Sequence, residues 1–431
     1  MAMKREGELM HQFMEKLYPI CRSITGDGVR KTLEIIQGMI PLKIQEVPSG
    51  TKVFDWEIPK EWNIRDAYIL DEEGRKIVDF KKSNLHVVSY SAPVDKVVTL
   101  DELQNHLYSI EEQPDAIPYI TSYYEERWGF CITHHQRMQL KEGKYRVYID
   151  SELKDGSLTY GELIIPGESE EEVFLSTYVC HPSMANNELS GPVLTTYLAK
   201  WILSNSRKYT YRIIFIPETI GSITYLSRNM DTMKTNIIAG FNISCVGDER
   251  AYSYLSSRSG NTLADKVALN ILTFKKLDFK SYSFLERGSD ERQYCSPGID
   301  LPVASIMRSK FGEYPEYHTS LDNMDLVTPT GLQGSFDIYT ECIELIERNE
   351  TYKINCFGEP QLGKRGLYPT LSTKESGRIV RNMMNFLAYA DGKNDLVDIS
   401  NTINVPVKEL YSIIDNLYKN GLIVTVDRNA M

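Results

Sequence analysis

Between residues 173 and 348 the hydrophobic period switches repeatedly, and this alternation restricts the fold more than any other feature of the chain. Short apolar runs rich in β-branched and aromatic residues, VFLSTYV (173–179), YRIIFIP (211–217), NIIAGFNISCV (236–246) and LPVASIM (301–307), read as buried strands. The segments 191–205, 222–233, 262–276 and 329–348 instead place apolar residues at helical spacing. In the first of them Val193, Leu194, Tyr197, Leu198, Trp201 and Ile202 form the stripe, Ser190 suits an N-cap, and Pro192 suits the first turn. Strands buried on both faces and joined through helices imply an α/β fold, a mostly parallel mixed sheet flanked by helices.

The flanking sequence divides around this core. Residues 7–20 and 29–40 read as amphipathic helices, with Leu9, Phe13, Leu17 and Leu33, Ile36, Met39 on their apolar faces and the turn SITGDG between them. After Pro48–Ser49–Gly50 the pattern shortens and alternates, which predicts a β-rich subdomain inserted over 49–109, ending in a short helix from Leu100. The α/β body then comprises 1–48 and 110–350. Residues 117–165 are strand-like, with a hairpin expected to turn at Lys154–Asp155–Gly156. His134 and His135 are neighbours in such a strand and face opposite ways, so at most one, His134, is a reserve ligand. Beyond Glu350 glycines and prolines mark a linker. Residues 363–431 then read as a winged helix, with a helix closed by Gly392, a helix-turn-helix through Asn404–Val405–Pro406, and LIVTVDR as the wing.

At 431 residues the chain accommodates two or three domains at roughly 100–200 residues each. Its 42% hydrophobic content excludes a disordered chain. A net charge of −11, with Lys408 and Lys419 offset by Glu409 and Asp415 in the second helix of the helix-turn-helix, argues against nucleic-acid binding. The winged helix then suits protein contact, and a homo-oligomer is expected. The seven cysteines are scattered and form no CxxC, so free thiols in a reducing compartment are expected. No stretch approaches the ~20 apolar residues needed to span a bilayer, and the polar amino terminus resembles no signal peptide. The expected location is the cytoplasm.

Polar clusters follow the strands: His181 to Glu188, Glu218 in PETIGS, Asp290–Glu291–Arg292, and His318 in EYHTSLDN. Parallel strands bring such loops to one rim. Two histidines with carboxylates suit zinc, and a carboxylate off the metal, for which Glu218 is the best candidate, suits a general base. Asp322 is a plausible partner behind His318. Glu188 has a second reading, as an acid favouring a helix amino terminus.

These residues resemble the zinc aminopeptidase clan that includes the bacterial leucyl aminopeptidases and glutaminyl cyclase, and more closely an aminopeptidase-like bacterial branch with a β-rich insertion and a winged helix. AlaAsnAsnGluLeuSerGly (185–191) is similar to the clan's Ala-x-Asp-Asn-x-Ser-Gly and puts Asn187 at the bridging aspartate. Glu218–Thr219–Ile220–Gly221 keeps the base but places Thr219 at a ligand position, Ser244 replaces another ligand, and YHTSLD (317–322) makes His318 a ligand. With three carboxylates replaced, the resemblance implies one zinc rather than two, held by His181, Glu188 and His318 with Asn187 nearby. Glu218 becomes the catalytic base, and Asp290, Arg292 and Tyr317 contact substrate. The implied activity is hydrolysis of an amide in a small peptide or an amino-acid or sugar conjugate. The rival expectation is a catalytically degenerate protein that senses a ligand or serves as a scaffold through its winged helix.

Overall fold

The strand–helix alternation builds one eight-stranded mixed sheet. Its order is Lys43–Pro48, Ser157–Ile165, Thr210–Ile216, Glu172–Tyr178, Ile237–Asn242, Val303–Met307, Tyr252–Leu255 and Phe279–Tyr282. The four central strands, 210–216, 172–178, 237–242 and 303–307, are parallel neighbours, while the first two strands and the 252–255/303–307 pair run antiparallel. The computed structural model describes residues 4–367 and 374–426. All seven residues of Glu172–Tyr178 are buried, as a strand covered on both faces requires. Lys4–Leu17 packs on Ser190–Leu203, which lies on that strand, and Asp27–Gln37 covers the antiparallel edge.

The chain divides into two compact units, Met1–Thr262 with Asp278–Asp337, and Leu263–Leu277 with Ile338–Met431. In the first, a four-stranded antiparallel sheet of Lys76–Asp79, Glu61–Leu70, Lys144–Lys154 and Val94–Thr99 has its own core of Ala67, Ile69, Val78, Val98, Tyr145, Val147 and Ile149. Lys144–Lys154 therefore completes the small sheet, which extends past residue 109. No hairpin forms at 154–156: Lys144–Lys154 pairs with 61–70 and 94–99, whereas Ser157–Ile165 pairs in the large sheet. The turn carries the chain from one sheet to the other, which periodicity alone could not distinguish from a hairpin.

In the second unit Thr351–Ile354 pairs with Asp391–Asp395 and Ile423–Val426, so a stretch read as linker is a strand. Helices Lys374–Tyr389, Leu396–Ile403 and Val407–Lys419 complete the winged helix. Asp395 caps the middle helix by accepting from Asp398 N at 2.8 Å, and Asn404 ends it in the left-handed region at φ 54. Part of the expected linker (368–373), the end of the expected wing (427–428) and residues 429–431 lie outside the described residues.

Candidate metal centre and active site

The parallel register aligns Tyr178 with Ile216 and Ser176 with Asn242, so the loops after these strands share one rim. The first of them runs into a single π-helical turn, Ala185–Leu189, ahead of Ser190–Leu203. Such turns push a side chain out of helical register and recur at functional sites. The expected N-cap fails here. Ser190 is already helical; its hydroxyl donates to Asn186 O and accepts from Val246 N at 2.9 Å. Gly191 is required by close approach, since a Cβ there would lie 2.4 Å from Ile243 O.

His181 and His318 meet at this rim, ring centroids 5.5 Å apart and tilted by 46°. Tyr119 lies 5.2 Å from each ring, and Tyr317 stacks on His318 at 3.9 Å. His318 adopts φ 57, a left-handed conformation that a non-glycine residue holds only at an energetic cost. Burial, and next the charge of His181, drive its ring down to about 3, so it is neutral, and its buried Nε2 has no hydrogen-bond partner. His181 is fixed through Nδ1, 2.7 Å from Glu188 Oε2. Burial works against its protonation, but the hydrogen bond and charge of Glu188 outweigh it and raise the ring. With Nδ1 engaged, Nε2 faces Glu218 Oε2 at 3.6 Å.

Glu188 is not aimed at that space. Its Oε1 accepts from Cys180 N at 2.6 Å and lies 3.5 Å from Arg22 Nε, its Oε2 holds His181, and both Glu188 and Arg22 are fully buried. Its geometry is that of a carboxylate orienting an imidazole. Cys180, His181 and Glu188 do place donor atoms within 4.8 Å of one another. Yet the imidazole Nδ1 is already bonded, and burial raises the Cys180 thiol well above its ordinary range. Asp322 does not support His318. It accepts from the backbone N–H of Ala185, Asn186 and Asn187 and from Tyr314, fixing the π turn.

Asn187 packs against Tyr178, its carbonyl and side chain 2.8 and 2.9 Å from Tyr178 Oη, while its buried Nδ2 has no partner. Glu218 ends its strand as expected, and burial raises its carboxyl against the opposing pull of His181. Thr219, at φ 65, donates its N–H to Asp290 Oδ1 at 2.7 Å, and Ser222 donates to the same oxygen at 2.8 Å. Asp290 is fully buried with Oδ2 unpartnered, and burial followed by the charge of Glu218 pushes its carboxyl to about 8. Arg292 reaches Thr219 Oγ1 through Nη2 and keeps Nε without a partner. Glu291 accepts from Gly288 N, Ser289 N and Asn242 Nδ2. Buried atoms without partners on Asn187, Asn242, Ser244, Ser289, Asp290, Arg292 and His318 thus gather in these loops, as in a site shaped for a polar ligand.

Two imidazole Nε2 atoms at one rim, that of His318 without a hydrogen-bond partner and that of His181 facing Glu218, fit one shared cation once His181 has released its proton. Glu188 and Asp322 are occupied by protein donors, and Asn187, Thr219 and Ser244 bring no charge. His134 is elsewhere. It opens the helix His134–Met138, capped by Thr133, and contacts Ser109, while His135 pairs with Asp115. The capping box Thr133–Gln136 was the overlooked signal for that helix. Arg22 and Tyr119 were also missed, since a lone arginine after a helix and one tyrosine in an aromatic run carry no readable pattern.

This sheet, with its polar loops gathered at the ends of the parallel strands, has the fold of the zinc aminopeptidases. The zinc aminopeptidase of Bacillus subtilis superposes with a TM-score of 0.59 at 14% identity, over 80% of this chain and 95% of that one. Within that class the chain belongs to the family described as a domain of unknown function, DUF4910, matched over residues 11–349, followed by a winged helix-turn-helix over 350–425. A Clostridium acetobutylicum protein, named provisionally for polysaccharide biosynthesis with an aminopeptidase-like domain, is 48% identical over 97% of each chain. A crystal structure from the same organism, provisionally named a peptidase, gives a TM-score of 0.92 at 47% identity over 98% of this chain and 97% of that one.

Proposed function

We propose that the chain is a single-zinc hydrolase of aminopeptidase type, cleaving an amide bond in a small peptide or in an amino-acid or sugar conjugate. The observation that carries this reading is the meeting of two imidazoles at one buried rim, His318 Nε2 without a hydrogen-bond partner and His181 Nε2 directed at Glu218. His181 and His318 would hold the ion. Asn187 is the further candidate: a phenol has one proton, so Tyr178 can donate to only one of its two contacts. Placing the Asn187 NH2 on Tyr178 would satisfy both and turn the amide oxygen away from the phenol. Glu188, with Arg22 behind it, serves as the orienting acid rather than as a ligand.

When bound, zinc supplies a Lewis acid for the amide carbonyl and makes water more acidic. The remaining work falls to the chain. Glu218 takes the proton of the attacking water and passes it to the leaving amine. Asp290, held protonated near neutrality, donates through Oδ2 to a substrate oxygen, and Arg292 offers Nε to a carboxylate or phosphate. Tyr317, its phenol kept protonated by burial, backs His318 and is available to an oxyanion. Five of the seven free cysteines are buried, which suits the cytoplasm. Among the described residues no helix is long and apolar enough to cross a membrane. Lys408 pairs with Glu341 at 3.0 Å and Arg378 pairs with Glu409, so this winged helix suits contact with protein, including a second copy of the chain, better than with nucleic acid.

Elemental analysis tests the metal: one zinc per chain is expected, lost in the His181→Ala, His318→Ala double variant, and zinc retained there sinks the site. A screen of aminoacyl and amidosugar amides tests the chemistry. The neutral residues at Asn187, Thr219 and Ser244 favour the rival, a catalytically degenerate sensor or scaffold, and a zinc-loaded chain silent throughout the screen would establish it.

A further inference from the structure

Beside the aromatic wall of the site stands a group of rings that amide hydrolysis does not require. Tyr119, which faces both histidines, shares a 2.6 Å hydrogen bond with Tyr123, and Tyr123 meets Tyr90 edge-on at 5.2 Å. Tyr123 also packs on the core cluster that holds Val53, Ile58, Cys180 and Ile220. The next residue, Tyr124, turns outward and is 60% exposed, and its ring meets Trp56 edge-to-face at 5.9 Å. Trp56 is 40% exposed and lies in the two-residue-stranded hairpin 52–57, whose turn residue Phe54 is 53% exposed at φ 54. Three large rings held in water, one on a backbone that disfavours a side chain, indicate a surface kept for a ligand.

The surroundings select its chemistry. An edge-to-face pair leaves ring faces free to receive a flat partner. Among the sequence neighbours of the rings Asp55, Glu57, Glu125 and Glu126 are exposed, against Lys52 and the half-buried Arg127, and Arg127 is already 3.8 Å from Glu125. That balance disfavours an anionic ligand or membrane and supplies acceptors for hydroxyl groups. A pyranose, with an apolar C–H face and a rim of hydroxyls, matches both features. We propose that Phe54, Trp56 and Tyr124 form a pyranose-stacking subsite, tied to the wall of the active site through Tyr123, the neighbour of Tyr124 and hydrogen-bond partner of Tyr119, so that the substrate is a sugar-bearing amide. This rests on the hydrolase reading for its purpose but not for its test.

Saturation-transfer NMR of the full chain carrying Glu218→Gln, with methyl β-glucopyranoside and the methyl glycoside of N-acetylglucosamine as probes, reads binding without turnover. Transfer to the sugar C–H protons is expected, falling about fivefold in Trp56→Ala or Tyr124→Ala. Absence of transfer to both glycosides overturns the proposal, as does transfer undiminished in the double variant. So does transfer that depends on these rings for phenylalanine amide but not for either sugar. A chain that bound glycosides through the rings yet cleaved no amide would refute the hydrolase and leave the subsite standing.

Discussion

The rim of the α/β unit and the surface of the winged-helix unit handle charge in opposite ways. At the rim Arg22, Glu188, Asp290, Glu291 and Asp322 are all withdrawn from solvent, and several neighbouring polar atoms have no partner. Thr219 and His318 also hold left-handed conformations there. In the winged-helix unit Lys266–Asp398, Lys275–Glu341 and Arg378–Glu409 are partly or largely exposed pairs. Leu410, Ile413, Ile414 and Leu417 form an ordinary buried helix face, and among the described residues of this unit no buried side-chain polar atom lacks a partner. One region leaves none of its described buried side-chain polar atoms unpartnered, and the other gathers several such atoms beside buried charges. Such violations concentrate where a ligand completes the structure.

The largest effect expected on that contrast is catalytic. Glu218→Gln should lower kcat about 10²–10⁴-fold while zinc content holds at one per chain, which rate assays and elemental analysis check together. If zinc departs with the carboxylate, Glu218 is a ligand and the proton-transfer role is wrong.

Next comes the buried pair. Glu188→Ala leaves Arg22 charged and unpaired in the interior and should cost about 3–5 kcal/mol in urea unfolding, with weaker zinc retention as His181 loses its anchor. A cost no larger than that of a surface pair would show that the rim is not specially built.

The third prediction is a pH slope. The Asp290 carboxyl, ordinarily at 3.8, is pushed to about 8, so between those values the folded chain holds a proton that the unfolded chain has released. Stability from this group is therefore present at low pH and lost as pH rises through the window, by at most about 1.4 kcal/mol per pH unit. Asp290→Asn should flatten the pH dependence of the urea midpoint there; an unchanged profile would remove Asp290 as its source. The smallest effect belongs to the winged helix, where Glu409→Ala should cost only about 0–1 kcal/mol because its pair with Arg378 is partly exposed. A loss as large as that of Glu188→Ala would erase the comparison.

By itself the sequence determined the local periods, and through them the alternating body, the helix-turn-helix and the presence of His181, Glu218 and His318 after strands. Those features depend on residues close in the chain, whose apolar spacing fixes which face is buried. Tertiary structure alone decided where the carboxylates point. Glu188 binds His181 Nδ1 and lies beside Arg22 because the π turn swings it inward, and Asp322 holds that turn rather than His318. It also decided that Lys144–Lys154 leaves its neighbour Ser157–Ile165 for another sheet. The physical reason is common to these cases. Each contact depends on strand order and on a few tenths of an ångström, neither of which leaves a period in the sequence.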